Sequence, residues 1–264
     1  MSRQPSQLKW LQHLGAELQQ GDLDQEISPE FHCHNNLLYY FAPPQNSGPI
    51  DIRITRLLAQ FNTSNKPAHI IYISTSGVYG DCQGQWVDET RPANPKTDRA
   101  RRRLSAEQAL LSWGETNNCA ITIFRVGGIY GPKQLPIERL KAGLEVIRLS
   151  EAPYSNRIHS EDLARVCIAA AALTKHQGIY NVCDGQTSSM SEYFVTLARI
   201  AGLPAPTQIS KEEAQTKLSP VMLSYLRESR RMDISKLKRE FGIEFLYPNL
   251  DAGLTASLEQ EASL

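Results

Sequence analysis

The hydrophobic positions of this chain alternate between short apolar runs and stretches with helical spacing. The clearest run is Ile70-Ile71-Tyr72-Ile73, which Pro67 precedes and a hydroxyl-rich turn follows. Continuous runs of β-branched and aromatic residues are typical of strands that are buried on both faces of a parallel sheet. Similar runs predict further strands over residues 16–20, 37–41, 120–126 and 179–183.

Amphipathic stretches separate most of these strands. Ile54, Leu57, Leu58 and Phe61 recur at intervals of three and four residues, which predicts a helix over residues 50–61. Strands that are joined through crossover helices pair in parallel. We therefore expect an α/β fold in which the strands near Leu18, Leu37, Ile70 and Ile121 form one doubly wound parallel sheet. Further helices are predicted over residues 5–14, 98–113, 162–173, 190–201 and 230–242.

The regular alternation ends at the Gly127-Gly128 turn, after which strands and helices are more widely spaced. This change predicts a division of the chain into two parts. Residues 1–130 would form the core of the sheet, and residues 131–264 would complete its edge and form a small substrate lobe. A lobe that lies over the carboxyl edge of the sheet would leave a cleft between the two parts.

Composition excludes several classes of partner. Lys plus Arg and Asp plus Glu number 28 each, so no net charge attracts the chain to nucleic acid or to a membrane surface. No apolar run approaches the length that crosses a bilayer. The five cysteines are scattered and odd in number, which favours reduced thiols in the cytoplasm over a disulfide framework or a zinc site.

Candidate chemistry is concentrated where the Ile70 strand ends, at Ser74-Thr75-Ser76. Ligands bind at the carboxyl ends of strands in open α/β sheets, which favours a binding site here. A turn whose hydroxyls bond their own backbone would give the same pattern, so both interpretations stay open. By contrast, the sequence His32-Cys33-His34 has no third ligand nearby, and we predict no metal site.

Six short motifs follow one another along nearly the whole chain: GDL at 21–23, ISTSGVYG at 73–80, RVGGIYGP at 125–132, RIHSEDLA at 157–164, YNVCDG at 180–185 and MDISKL at 232–237. With these motifs the chain resembles the extended short-chain dehydrogenase/reductase superfamily, in its nucleotide-sugar epimerase and dehydratase group. It is most similar there to an atypical subgroup whose members lack parts of the usual active site. The resemblance implies a Rossmann-like fold and a small-molecule substrate, such as a nucleotide sugar or another phosphorylated compound.

The resemblance also implies NADP or NAD as cofactor. It places Asp22 and Leu23 beside the adenine and Arg3 where it can meet the 2′-phosphate of NADP. The other implied cofactor contacts are Ala42, Pro43, Ser74, Gly127 and Gly128. It further implies a structural role for His159, and Arg125 needs a carboxylate or several carbonyls if it is buried.

One departure from the family's pattern concerns the cofactor. The chain contains no G-x-x-G-x-x-G turn, the element that holds the pyrophosphate at a helix N-terminus. Roughly one βαβ unit is expected to be lacking upstream, through a misassigned start or a fragment, which would make the Rossmann-like sheet N-terminally incomplete. The 264-residue chain is therefore expected to bind NADP or NAD weakly.

A second departure concerns catalysis. Thr75 matches the family's hydroxyl residue, but Arg99 and Arg103 occupy the positions of the catalytic Tyr and Lys in Tyr-x-x-x-Lys. An arginine, with a pKa above about 12, cannot exchange protons near neutral pH. Tyr79 is the nearby phenol that could serve as an acid instead.

The arginines themselves have two interpretations. Arg99 and Arg103 either belong to a solvated basic face together with Arg101 and Arg102, or they hold a phosphate or carboxylate in the cleft. Two functions stay open accordingly: an atypical NAD(P)-dependent epimerase or dehydratase, and a non-catalytic NAD(P)-binding or regulatory protein. The oligomeric state does not follow from the sequence.

Overall fold

The computed structural model describes residues 1–25, 31–172 and 177–263. One 3₁₀ helix spans Pro5–Leu14, and a second one spans Ser76–Tyr79. The strands and helices up to the middle of the chain are β1 (Leu37–Tyr40), α1 (Ile52–Ala59), β2 (His69–Thr75), β3 (Trp86–Val87), α2 (Asp98–Asn117), β4 (Ala120–Val126), β5 (Gly128–Tyr130), α3 (Ile137–Lys141), β6 (Glu145–Ile147), β7 (Tyr154–Ser155) and β8 (Arg157–His159). The remaining ones are α4 (Ser160–Ala172), β9 (Gly178–Val182), β10 (Ser188–Ser189), α5 (Met190–Ile200), β11 (Thr207–Ile209), α6 (Lys211–Lys217), α7 (Pro220–Leu226), β12 (Arg231–Met232), α8 (Ser235–Phe241) and α9 (Leu250–Ala262).

A four-stranded sheet in the order β1-β2-β4-β9 forms the centre of the fold, and all its strands are parallel. Successive side chains of a strand point to opposite faces, and both faces here are apolar. Ile70 and Tyr72 pack on one face against α1 and α2, whereas Ile71 packs on the other face against α4 and α8. The fold is therefore α/β, with helices on both sides of a Rossmann-like parallel sheet.

Local sequence explains where the two helices on the first face begin. The carboxylate of Asp51 accepts hydrogen bonds from the Arg53 and Ile54 amides and so caps α1. The hydroxyl of Thr97 does the same for α2 through the Ala100 amide. Side-chain oxygens at these positions satisfy amides that have no partner within the helix.

The prediction of a strand over residues 16–20 is wrong. In the described part of the chain, this segment makes a single parallel bridge, between Ser2 and Gln20. A strand requires a hydrogen-bonded neighbour along its length, and the described backbone supplies Ser2 alone. The strands predicted near Leu37, Ile70 and Ile121 do share one parallel sheet, and Gly178–Val182 joins them at its edge.

The C-terminal half contains further apolar clusters beside the sheet. One of them joins α3, α5 and α9 around Tyr193, Phe194 and Leu254. Another joins β6, β11, α6 and α7 around Ile147 and Ile209. The division at residues 130 and 131 stays a prediction, and Leu173, the predicted end of the helix that contains α4, lies outside the described residues. Over the described residues, no helix has both the length and the apolarity that a bilayer crossing requires.

Candidate functional site

A cleft of about 570 Å³ opens at the carboxyl ends of β2 and β4. The residues that line this cleft are Pro43, Pro44, Gln45, Asn46, Thr75, Ser76, Gly77, Thr97, Arg99, Ala100, Arg102, Arg103, Gly127, Gly128, Tyr154, Ser155, Asn156, Arg157, Met190, Tyr225, Glu228 and Arg230. Half of the residues that the sequence nominates are therefore brought together: Pro43, Thr75, Arg99, Arg103, Gly127 and Gly128.

Thr75 lies on the floor of the cleft at the last position of β2. It pairs in register with Val126, so the Gly127-Gly128 turn follows directly beside it. The Oγ1 atom accepts a hydrogen bond from the Gly77 amide at 3.2 Å and caps the short 3₁₀ helix. A hydroxyl that accepts in this way still has its proton to donate, so the turn and a ligand contact are compatible.

Tyr79 is placed away from the cleft. Its side chain is buried, and its hydroxyl donates a hydrogen bond to Oδ1 of Asn181 at 2.8 Å. Burial raises the pKa of Tyr79 to about 12, while the guanidinium of Arg125 over its ring acts in the opposite direction. A phenol in this position cannot exchange a proton with a substrate in the cleft, so the structure contradicts the expected acid role.

Ser74 also points into the protein interior instead of the cleft. Its hydroxyl donates to the carboxylate of Glu107, which in turn pairs with Arg125 at 2.7 Å. Both charged side chains of this pair are almost fully buried. The predicted need of Arg125 for a carboxylate is thereby confirmed, whereas Ser74 does not reach the position expected for a cofactor contact.

The two arginines that replace Tyr-x-x-x-Lys have different surroundings. Arg103 donates to the Ile73 carbonyl at 3.0 Å and to the Tyr72 hydroxyl at 3.2 Å. Arg99 instead places its guanidinium carbon 4.2 Å from the ring centre of Tyr225 and has no hydrogen-bond acceptor among the described residues. Arg103 is thus held by the sheet, and Arg99 is free to bind a ligand.

The neighbouring arginines of α2 divide in the same way. Arg101 pairs with Asp98 on the surface, as a solvated face requires. Arg102 is buried and donates to the carbonyl oxygen of Gly48, so its prediction as a solvated residue is wrong. The loop that contains Gly48 covers this side of the helix, which the spacing within the helix could not reveal.

Two further arginines, which were not nominated from the sequence, line the cleft. Arg230 donates to the Gly80 carbonyl at 2.7 Å and to Glu228 at 2.8 Å. Arg157, at the start of β8, is nine-tenths buried, with its guanidinium carbon 3.9 Å from the ring centre of Tyr193. The available signal was a charged residue directly before the buried pair Ile158-His159.

The other predicted cofactor contacts are not brought to the cleft. Arg3 is exposed, and the carboxylate of Asp22 accepts a hydrogen bond from the Asp24 amide at 3.0 Å. Leu23 and Ala42 pack instead against the apolar cluster on the first face of the sheet. The resemblance implied their roles from a sheet with further strands beside this segment, and the described residues form a single bridge there.

The cleft contains three of the residues that the resemblance places beside a dinucleotide's reacting end or assigns to the cofactor: Thr75, Gly127 and Gly128. The packing of the turn itself requires Gly127, because a Cβ atom would lie 2.6 Å from the carbonyl oxygen of Asn156. A pyrophosphate needs free amides at a helix N-terminus. At α1 the Asp51 carboxylate already occupies those amides, and a second anion there would be repelled.

His159 has the packing role that was expected. Its ring is buried 4.0 Å from the ring of Tyr247, and its Nε2 lies 3.1 Å from the hydroxyl of Ser257. Burial lowers the pKa of His159. Across residues 1–25, 31–172 and 177–263, no group of three or more His, Cys, Asp or Glu side chains is arranged to hold a metal ion.

Comparisons with known proteins agree with this architecture. Protein YeeZ of Escherichia coli K12 is 28% identical over 215 residues, which cover 78% of this chain and 70% of that protein. A functionally unknown conserved protein from Silicibacter pomeroyi has a TM-score of 0.78 at 31% identity. That match covers 98% of this chain and 89% of the other. UDP-glucuronic acid 4-epimerase from Bacillus cereus, solved with UDP-glucuronic acid and NAD, has a TM-score of 0.72 at 21% identity over 98% of this chain and 87% of its own.

The family model described as the NAD dependent epimerase/dehydratase family matches residues 32–183. This match covers more than half of the chain, including β1, β2, β4, β9 and most of the residues that line the cleft. The chain therefore belongs to the NAD dependent epimerase/dehydratase family.

Proposed function

We propose that this protein binds a nucleotide sugar or a similar small phosphorylated substrate in the cleft and carries out epimerase- or dehydratase-type chemistry on it. Thr75 would hold an oxygen of the reacting sugar, because its hydroxyl proton is available at the floor of the cleft. Arg99, in the first turn of α2, would attract the phosphate groups of the substrate. Substrates of this class are negatively charged, so the charge of the cleft is the property that matters most.

One observation carries the proposal: the cleft wall is strongly cationic in a chain without net charge. Five of the lining residues are arginines, and Glu228 is the single carboxylate among them. Arg102 and Arg103 are held by protein carbonyls and Arg230 by Glu228, so their charges are fixed in place around the cleft. A concave site lined by one sign of charge raises the local concentration of oppositely charged ligands.

The proton donor of such chemistry would differ from the family's usual tyrosine. Neither arginine that replaces the Tyr-x-x-x-Lys pair can release a proton near neutral pH. Two phenols do line the cleft, those of Tyr154 and Tyr225, and both are exposed to solvent. Tyr225 lies under Arg99, so a cation adjoins a phenol here, which makes Tyr225 the residue to test first.

Family membership supports a nicotinamide cofactor and does not distinguish NAD from NADP. Such a cofactor would lie beside Thr75, Gly127 and Gly128, but Asp51 already occupies the amides at the start of α1 that could hold its pyrophosphate. For this reason we assign no step of the reaction to it. Arg3 is exposed, and its preference for the 2′-phosphate of NADP stays a prediction.

A second candidate function is binding without turnover. The observation that favours it is the position of Arg103, whose guanidinium is committed to the sheet where the family's lysine would contact the reacting groups. A protein that kept the cationic cleft and lost the acid would bind the same ligands and leave them unchanged.

Both candidate functions require binding of a nucleotide sugar, which calorimetric titration with UDP-glucuronic acid and UDP-glucose tests. Chromatography of the sugars after incubation with NAD or NADP then separates them. For an enzyme, Tyr225→Phe and Thr75→Val should each reduce turnover by at least about 100-fold, as the loss of an acid or of a positioning hydroxyl does. Arg101→Met, which changes a surface arginine outside the cleft, is the matched control. Failure of the wild-type chain to bind either sugar nucleotide would refute the proposal.

A further inference from the structure

Arg157 is a nine-tenths buried cation that forms no ion pair with the described residues. No side chain or carbonyl among the described residues accepts a hydrogen bond from its guanidinium, and its Nε atom is buried without a partner. The contact that does hold the group is the face of Tyr193, 3.9 Å away. Burial of a charge is costly unless a partner compensates it, so the position calls for an anion that is not part of the chain.

Asp184 is the carboxylate that would be expected to pair with Arg157, and it does not. Its backbone amide donates to the Arg157 carbonyl at 2.7 Å, which brings the two residues side by side. Its Oδ1 atom accepts from the Gln186 amide, but its Oδ2 atom is buried and has no partner among the described residues. The side chains are therefore neighbours that form no ion pair, and the arginine keeps its hydrogen-bonding capacity.

The guanidinium faces the cleft at the turn that follows β4. Gly128 pairs in register with Arg157, and an Nη atom of the arginine lies 3.1 Å from the place where a Cβ of Gly128 would be. The absence of a side chain on Gly128 thus makes room for the guanidinium at this turn. Because a guanidinium is planar, its two outer nitrogens can be presented together to the two oxygens of a carboxylate or phosphate.

We propose that Arg157 binds an oxyanion of the substrate at the Gly127-Gly128 turn, either a carboxylate of the sugar or an oxygen pair of a phosphate group. This inference rests on the proposed function, because the oxyanion belongs to the ligand of the same cleft. It adds a residue outside α2 to the anion-binding interpretation of Arg99 and Arg103.

The test compares the wild-type chain with Arg157→Met, Arg157→Lys and the control Arg101→Met. Affinities are measured by calorimetry for UDP-glucuronic acid, UDP-glucose and inorganic pyrophosphate, and thermal stability is measured without ligand. The Met variant should bind at least about tenfold more weakly, as expected for the loss of a charge-assisted pair of hydrogen bonds. Its Tm should not fall, because a thioether on Tyr193 replaces a buried charge that forms no ion pair with the described residues.

The pattern among the ligands identifies the oxyanion. Weaker binding of UDP-glucuronic acid alone indicates the sugar carboxylate, and an equal loss for all three indicates a phosphate group. Unchanged affinity for all three ligands, or a loss that accompanies a large fall in Tm in both Arg157 variants, would overturn the inference. If the Met variant does not fold, the Lys variant decides, since a point charge without the planar fork should still bind several-fold more weakly.

Failure of the proposed function has a different signature. A wild-type chain that binds pyrophosphate through Arg157 but neither sugar nucleotide would retain the oxyanion site and lose the proposed substrate. A chain that binds the sugar nucleotides equally well with and without Arg157 would do the reverse. Binding of none of the three ligands by the wild-type chain would overturn both.

Discussion

Asp184 should make the stability of this protein depend on pH between about 4 and 7. Burial raises the pKa of this carboxyl from its ordinary value of 3.8 to about 7, although the Gln186 amide and the Arg157 guanidinium act in the opposite direction. Asp162 on α4 adds to the increase. In this range the folded chain keeps a proton that the unfolded chain has released. The contribution of Asp184 to the free energy of unfolding is therefore fully present below pH 4 and is lost as the pH rises to 7.

The size of the effect follows from the shift. The pKa rises from 3.8 to about 7, which corresponds to about 4 kcal/mol of unfolding free energy at roughly 1.4 kcal/mol per pKa unit. Asp184→Asn removes the ionisation, and its amide oxygen can still accept from the Gln186 amide. The variant and the wild type should be similar below pH 4. The variant should then be more stable by roughly 2 kcal/mol at pH 5 and by up to about 4 kcal/mol at pH 8.

Urea unfolding, followed by tryptophan fluorescence at pH values from 5 to 8, measures this difference. Buried His69 and His159 have lowered pKa values and change stability in the opposite sense, so the comparison between variant and wild type isolates Asp184. Asp88→Asn is the control, because Asp88 is exposed and the Thr90 hydrogen bonds lower its pKa. Two stability curves that run parallel from pH 5 to 8 would refute the reasoning.

Three further outcomes are expected. Glu107→Gln should cost about 3 kcal/mol in urea unfolding because it leaves Arg125 buried without its counter-charge, and a cost below about 1 kcal/mol would contradict the buried pair. Gly127→Ala should lower Tm by several degrees since its Cβ would meet a backbone oxygen at 2.6 Å, whereas Gly77→Ala, with 3.5 Å to its nearest neighbours, should leave Tm nearly unchanged. Calorimetric titration of the 264-residue chain with NADPH should give weak binding, because the chain has no G-x-x-G-x-x-G turn, and an affinity in the micromolar range or tighter would show that other residues hold the pyrophosphate.

The central sheet could be predicted because its strands are apolar on both faces. The apolar runs at Leu37, Ile70, Ile121 and Ile179 could be recognised as strands without knowing which strands pair with them. The segment near Leu18 failed for the opposite reason. Its pairing depends on an adjacent strand, and a short apolar stretch does not show whether that strand is there.

Buried charges were the main obstacle on α2. Glu107 is almost fully buried, yet in the sequence it has the spacing of a residue on the flank of the helix. Its partner Arg125 comes from β4, and neither residue alone predicts that the other will compensate its charge. Where a helix packs against a sheet end, such pairs can be inferred only once the register of the elements is known.

In the candidate site, too, residues brought in by pairing between distant elements were harder to predict than residues at strand ends. Thr75, Gly127 and Gly128 lie at the cleft because they end β2 or follow β4, and the carboxyl ends of parallel neighbours share one edge. Their roles in catalysis and cofactor binding stay predictions. Arg157 reaches the cleft by another route, through the pairing of β8 with β5. That pairing lies outside the main sheet and has no signature in the hydrophobic pattern. The proposed oxyanion site lies on this second route. Its signal in the sequence is a single charged residue before the buried pair Ile158-His159, which does not show by itself that the residue faces the cleft.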